Sequence, residues 1–239
     1  MSDPEHTQAE SIPKTGLVIA VDGPSASGKS TVSRTLARRL RLPYVNTGLM
    51  YRALAARALS TRTDPDDEEG LARLAKELRF DLSTDASPVL LIDGSPPGPE
   101  LTSPGVERVV SAVSRHPAVR DVMRSAQRRF GASGAVMEGR DIGSVVFPDA
   151  DVKLFAWADP AVRVARRREE RRDDQREDRD IAEALARRDA LDDETNPLRP
   201  APGAIRIDTT DMTADAVADE ALRIVERALG RSLGAAPSA

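Results

Sequence analysis

The stretch Gly23-Pro24-Ser25-Ala26-Ser27-Gly28-Lys29-Ser30 has the residue types and spacing to hold a chain of phosphates. In Gly-x-x-x-x-Gly-Lys-Ser the backbone N–H groups curl around phosphate oxygens, and the glycines let the main chain come close. Lys29 would reach the β- and γ-phosphates, and the hydroxyl of Ser30 would ligate Mg²⁺. A helix starting here adds its positive N-terminal end. Together with Thr31 these residues are the expected triphosphate-binding segment. The motif has meaning only with a strand before it and an amphipathic helix after it. Both are expected: Leu17–Asp22 (LVIAVD) is a continuous apolar run, and Val32, Leu36, Ala37 and Leu40 share one helical face. ATP or GTP binding follows, and the reaction stays open.

Other residues narrow it. A guanine-selective switch would carry Asn-Lys-x-Asp, which does not occur in the sequence. A motor or transporter ATPase would end a late apolar strand with an acidic pair, but the acids of VVFPDAD precede the run VKLFAWA. A small-molecule kinase needs a second anion site and arginines that close over the transferring group. Three segments could serve. In NTGLMYR (Asn46–Arg52), Thr47 can cap the next helix, and Arg52 in its first turns is either a phosphate fork or an ordinary surface arginine. EGRDIGS (Glu138–Ser144) ends an apolar run, where open α/β sheets place ligands. Arg140 and Asp141 there offer a fork donor beside an acceptor, or simply pair in a salt bridge. The segment 163–188 holds ten arginines against eight acids and no aromatics. That balance is wrong for nucleic acid. It suits a solvated helical hairpin, or a lid that brings a few of its arginines, Arg163, Arg166 and Arg167 foremost, to the phosphates.

These residues need a scaffold. Pro43–Asn46, Ala135–Glu138, Val152–Ala158 and Ala204–Asp208 are further strand candidates. Continuous apolar runs separated by helical segments predict an α/β fold, a buried parallel sheet flanked by helices. Asp159-Pro160, Pro117 and Thr213 mark helix starts, and Gly230 a helix end. The middle of the chain breaks this rhythm. LRFDLS and PVLLIDG, joined by TDAS, read as an antiparallel hairpin, followed by a proline- and glycine-rich loop and then helix over Val106–Phe130. The expected organisation is a leader over 1–15 without structure, one unit over 16–230, and a flexible tail over 231–239. Within the unit lie a core (16–77, 131–162 and 190–230), an insert (78–130) and a lid (163–189).

Composition bounds the rest. The chain has 239 residues, 40% hydrophobic and 3% aromatic, so Leu, Val, Ile and Ala must fill the core. With no cysteine, thiolate chemistry and disulfides are excluded, and two histidines cannot build a histidine metal cluster. A net charge of −4 speaks against non-specific nucleic-acid binding. No apolar run approaches the roughly 20 residues of a membrane span, and the polar N-terminus lacks a signal-peptide core. A cytoplasmic protein without nucleic-acid or membrane partners is expected.

Taken together, VDGPSASGKST, NTGLMYR, SAVSRHPAVR, EGRDIGSVVFPDADVKLF and ARRDALD resemble, in order, the cytidylate kinases among the nucleoside monophosphate kinases. The likeness spans about Leu17–Arg223. It implies transfer of the ATP γ-phosphoryl group to CMP or dCMP with Mg²⁺, by a monomer. The implied fold is a P-loop kinase core with a five-stranded parallel sheet, an acceptor-binding insert with a small antiparallel sheet, and a helical lid. By motif, Arg52 would hold the acceptor phosphate and Thr47 lie near the acceptor. Ser111 and Arg120 would recognise cytosine, with Asp141 accepting from its amino group and Arg140 directed to base or phosphate. Arg188 would contact phosphate, and Asp192 the acceptor sugar. Three positions depart from the family pattern. Thr195 stands where a second arginine is common, and either that role is lost or Arg199 or a lid arginine fills it. Asn46 replaces a frequent aspartate, and Ser144 a usual threonine. Competing expectations are a kinase of UMP or of a non-nucleotide such as shikimate, a non-catalytic ATP-dependent switch, and a nucleic-acid-binding module.

Overall fold

Five parallel strands lie in the order β2-β5-β1-β6-β7, with ranges Val18–Asp22 (β1), Tyr44–Asn46 (β2), Ala135–Gly139 (β5), Val152–Trp157 (β6) and Ile205–Asp208 (β7). The structure is a computed structural model and describes residues 16–85, 88–170, 177–195, 198–230 and 232. β1 is central and buried along its whole length, as its continuous apolar sequence requires. Alternate side chains serve opposite faces. Ile19 and Val21 pack with Val32 and Leu36 of α1 (Lys29–Leu40) and Ile224 and Val225 of α8 (Ala214–Leu229). Val18 and Ala20 pack with Met137, Ile142, Val146 and Phe147 on the other side. The expected parallel sheet flanked by helices is thus what forms, with the small antiparallel pair β3 (Phe80–Leu82) and β4 (Leu90–Ile92) beside it.

A third apolar cluster lies on the β2 side. It joins α2 (Thr47–Thr61), α3 (Glu68–Glu77), β3, β4, α4 (Pro104–Ser114) and α5 (Pro117–Gly131), through Met50, Leu54, Leu71, Phe80, Val113 and Met123 among others. This cluster includes α2 and α3 as well as the elements expected in the insert from residue 78. Helix α3 was not among the expected elements. It is capped by Asp67, whose carboxylate accepts from Gly70 N at 2.9 Å. The helical stretch expected over Val106–Phe130 is two helices, broken at Arg115-His116, with Pro117 opening α5 as anticipated. Asp159 accepts from Ala161 N at 2.8 Å at the start of α6 (Pro160–Glu170), and Thr213 caps α8, which ends at Gly230. After α6 comes α7 (Asp178–Thr195). One cap differs from expectation. Asn46, not Thr47, caps α2, its Oδ1 accepting from Leu49 N at 3.3 Å. Thr47 is the first residue of the helix and turns its hydroxyl elsewhere. The expected leader, most of the tail, half of the turn at 84–87 and the lid residues 171–176 lie outside the described residues.

Candidate active site

The strand order puts the C-terminal ends of β1, β5 and β2 side by side, and the chemistry gathers there. β1 ends at Asp22, and the phosphate loop follows at once. Gly23 has φ 147°, and a Cβ there would lie 2.1 Å from the Ala156 carbonyl oxygen of β6. Gly28 sits in the left-handed region at φ 85° and opens α1. Asp22 is buried and accepts from Ile142 N and Gly143 N, both at 2.8 Å. Burial pushes its carboxyl up to about 6, against those two N–H groups. These bonds hold a single turn of π-helix, Ile142–Val146, whose backbone bonds run from Val146 N to Asp141 O and from Phe147 N to Ile142 O. The segment carrying Arg140 and Asp141 is thereby fastened to the root of the phosphate loop.

Lys29 donates to the Pro24 carbonyl at 2.6 Å. Burial first, then the Arg140 charge, lower its ammonium to about 7, while Glu138 and Asp189 oppose the fall. Ser30 Oγ donates to Glu138 Oε1 at 2.9 Å, and so does the Tyr44 hydroxyl at 3.0 Å. Glu138 Oε2 is buried with no hydrogen-bond partner among the described residues. Thr47 Oγ1 donates to the Glu138 carbonyl at 2.8 Å, so the start of α2 is tied to β5.

A cavity of about 500 Å³ opens from this loop. Ser25–Thr31 line it, together with Thr47, Arg52, Ser111, Arg120, Arg140, Asp141, Arg167, Arg188 and Asp192. Gly23 and Pro24 shape the loop without lining the cavity. Arg52 is 8% exposed, which rules out the ordinary surface arginine. Its Nη1 donates to the Leu101 carbonyl at 2.9 Å, and its Nη2 lies 3.5 Å from Glu107 Oε1. Arg140 and Asp141, neighbours in sequence, part company. Asp141 Oδ2 takes Arg120 Nη2 at 2.7 Å and Arg124 Nη2 at 3.4 Å. Arg120 also lies over the Tyr51 ring, 5.9 Å from its centre. Arg140 instead pairs with α7, through Asp189 Oδ1 at 3.3 Å and Asp192 Oδ2 at 2.8 Å.

The arginines of α6, where a lid was expected, divide as well. Arg167 donates to Ser25 Oγ at 3.0 Å, and Arg163 to Ser25 O at 3.4 Å while pairing with Asp189. Arg166 turns away from the cavity and holds Thr209, with contacts of 2.9 Å to its hydroxyl and 2.5 Å to its carbonyl. Arg188 faces Asp192 at 3.9 Å; burial, then Arg140, lower its guanidinium to about 10, so it stays charged at neutral pH. The buried Nε–H groups of Arg120, Arg167 and Arg188 have no partner among the described residues. Thr195, where the family arginine would stand, has its side chain outside the described residues.

Tyr51, Arg124, Glu138 and Asp189 were not given roles by the sequence. Each lies within four residues of one that was, but its contact depends on a distant segment. No three His, Cys, Asp or Glu among the described residues gather as a metal cluster, and no helix there is long and apolar enough to cross a membrane. Ser30 and Glu138 nonetheless form a hard-oxygen pair, one member of which has an orphaned buried atom. That suits an Mg²⁺ ion arriving with a triphosphate, which keeps water and phosphate as most of its ligands.

Comparison with known proteins agrees with the geometry. The family model "Cytidylate kinase" matches residues 19–227. The chain is similar to the cytidylate kinase of Nocardia farcinica, 43% identical over 219 residues, covering 88% of this chain and 94% of that protein. It is 40% identical over 223 residues to that of Geobacillus kaustophilus, covering 91% and 100%. It is 42% identical over 222 residues to that of Rhodococcus opacus, covering 90% and 96%.

Proposed function

The chain belongs to the cytidylate kinase family, and from that premise we propose that it transfers the γ-phosphoryl group of ATP to the phosphate of CMP and of dCMP. It is a nucleoside monophosphate kinase, a phosphotransferase. The observation that supports the assignment of its cavity is that Arg52, Arg120, Arg140, Arg167 and Arg188 line one space with Lys29 and the phosphate loop. A cavity so rich in guanidinium donors suits phosphates of two substrates.

Phosphoryl transfer needs alignment and charge neutralisation more than covalent help from the protein. Residues 23–31 hold ATP, with Lys29 on the β- and γ-phosphates; their charge draws the Lys29 proton affinity back up. Ser30 and Glu138 would hold Mg²⁺, which supplies neutralisation of the phosphate charge. Arg52, Arg140 and Arg188 hold the acceptor phosphate in line. One of its oxygens forms the bond to the γ-phosphorus as the bridge to the β-phosphate breaks, and ADP leaves. No general base is needed, because the attacking oxygen is already anionic. Arg163 and Arg167 cover the transferring group. Arg166, engaged at Thr209, is left out of that set.

Arg120 and Asp141 read the base, with Ser111 beside them and Thr47 near the acceptor. The cytosine amino group donates, and Asp141 accepts; uracil presents a carbonyl there and leaves the carboxylate facing another acceptor. Asp192 lies by the acceptor sugar. The arrangement divides into a core, an acceptor-binding side and a lid. A monomer acting in the cytoplasm completes the proposal, carried over from the family likeness. The test is ADP release from ATP with CMP, dCMP, UMP, AMP, shikimate or no acceptor. Turnover is expected with CMP and dCMP. Release without acceptor would point to a switch, and turnover with shikimate to another kinase.

A further inference from the structure

Asp189 belongs to none of the roles above. It lies on the inward face of α7, with Ile181, Leu185 and Asp192 at helical spacing, while Asp193 and Glu194 on the same helix face solvent. Its side chain is 15% exposed, and its two oxygens serve two arginines from different elements. Oδ1 takes Arg140 Nη1 from the end of β5, and Oδ2 pairs with Arg163 Nη1 from α6. Each of those nitrogens also reaches a carbonyl of the phosphate loop, Gly23 O at 3.3 Å and Ser25 O at 3.4 Å. One carboxylate thus ties β5, α6 and α7 together directly over the loop. Asp192, three residues on, reaches Arg140 and Arg188.

We propose that Asp189 is a positioning residue for phosphoryl transfer: by bridging Arg140 and Arg163 it sets their separation and aim, so that they act on the transferring group as a pair. The inference rests on the roles of Arg140 and Arg163 given above. Two guanidinium groups brought side by side repel, and a carboxylate between them offsets that and fixes their spacing through charge-assisted bonds. Donors held in place before reaction need no reorganisation in the transition state. The consequence is specific. Neutralising Asp189 leaves the cleft more positive, so nucleotide binding is kept while the aim of the arginines is lost. A residue that only supported the fold would lower binding and stability together.

The experiment compares Asp189→Asn, Asp189→Glu, Arg163→Ala, Arg140→Ala and the double variant D189N/R163A in steady-state kinetics with ATP and CMP. D189N is expected to lower kcat about 30-fold and leave both KM values within about threefold, the size expected of a misplaced electrostatic group. Asp189→Glu, which keeps the charge on a longer arm, should lose about tenfold. In the R163A background the same D189N change should cost clearly less than in the parent, about tenfold or below, because one of its two partners is already gone. A kcat for D189N within twofold of the parent overturns the inference, as does a full 30-fold loss repeated in the R163A background. Where D189N fails to fold by circular dichroism, Asp189→Glu decides: parental kcat overturns the proposal, and the tenfold loss with unchanged KM supports it. The underlying roles of the arginines fail instead if R163A and R140A both keep parental kcat.

Discussion

Lys29 answers to two demands at once. The loop places its ammonium where a triphosphate must be neutralised, and the same burial, with Arg140 beside it, lowers its proton affinity to about 7 from the usual 10.5. A group whose folded value is depressed contributes stability above its unfolded value and loses it as pH falls through the folded one. Lys29→Met should therefore lower turnover by orders of magnitude and yet melt higher than the parent at pH 6, with the gap narrower at pH 9 and closed only above the unfolded value of 10.5. Thermal melts at both values check this, and a lower melt at pH 6 would sink the account. Arg52 supports the fold and, in the proposed reading, also the acceptor. Arg52→Ala deprives the Leu101 carbonyl of its donor, a loss of about 1–3 kcal/mol in stability. It should raise KM for CMP roughly 10- to 100-fold and leave KM for ATP nearly untouched, as expected for one charge-assisted contact. If ATP affinity alone falls, its role is wrong. Asp141→Ala should narrow the preference for CMP over UMP by about tenfold or more. An unchanged ratio removes Asp141 from the base.

At the scale of elements, the site depends on how strand ends turn into helices. The turn after β1 is the tightest. A methyl group at Gly23 would strike the Ala156 carbonyl, and β6 is locked in the sheet and cannot retreat. Gly23→Ala should destabilise the protein by about 2–4 kcal/mol, as a substitution incompatible with its backbone does. Its denaturation midpoint and ATP affinity should fall together, and a parental value of either would show that the loop adapts. The elements themselves were largely legible. β1, β5 and β6 announce themselves as apolar runs, and Pro117, Asp159-Pro160 and Thr213 as helix starts. Helix α3 was missed although its signals are local: Leu71, Leu74, Ala75 and Leu78 stand at helical spacing behind the Asp67 cap, and the helix packs against α5. The π-turn at Ile142–Val146 was not legible, because the carboxylate that holds it is Asp22, 120 residues away.

At the scale of the whole molecule, two of the three apolar clusters divide the labour. One sits on the sheet, between it and α1 and α8. The other sits under the acceptor side and includes α2, whose first turns carry Thr47 and Arg52. Leu54 is fully buried there. Leu54→Ala should cost about 2–5 kcal/mol, the range for a large-to-small change in a packed core. Because α2 bears the proposed acceptor contacts and none of the proposed ATP contacts, the variant should raise KM for CMP more than for ATP. Equal increases would mean that the two cores do not act separately.

The sequence by itself determined the phosphate loop, the parallel sheet that carries it, the small antiparallel pair and the family. Each of these is written in a contiguous stretch, where local geometry and apolar patterning suffice. The tertiary structure decided which charge meets which. Arg140 and Asp141 are adjacent in the chain, and alone they look like a pair. In the fold Asp141 goes to Arg120, 21 residues back, and Arg140 to Asp189, 49 residues on. An ion pair is chosen by distance in space and by the cost of burying either charge alone, and neither quantity exists until the helices have packed.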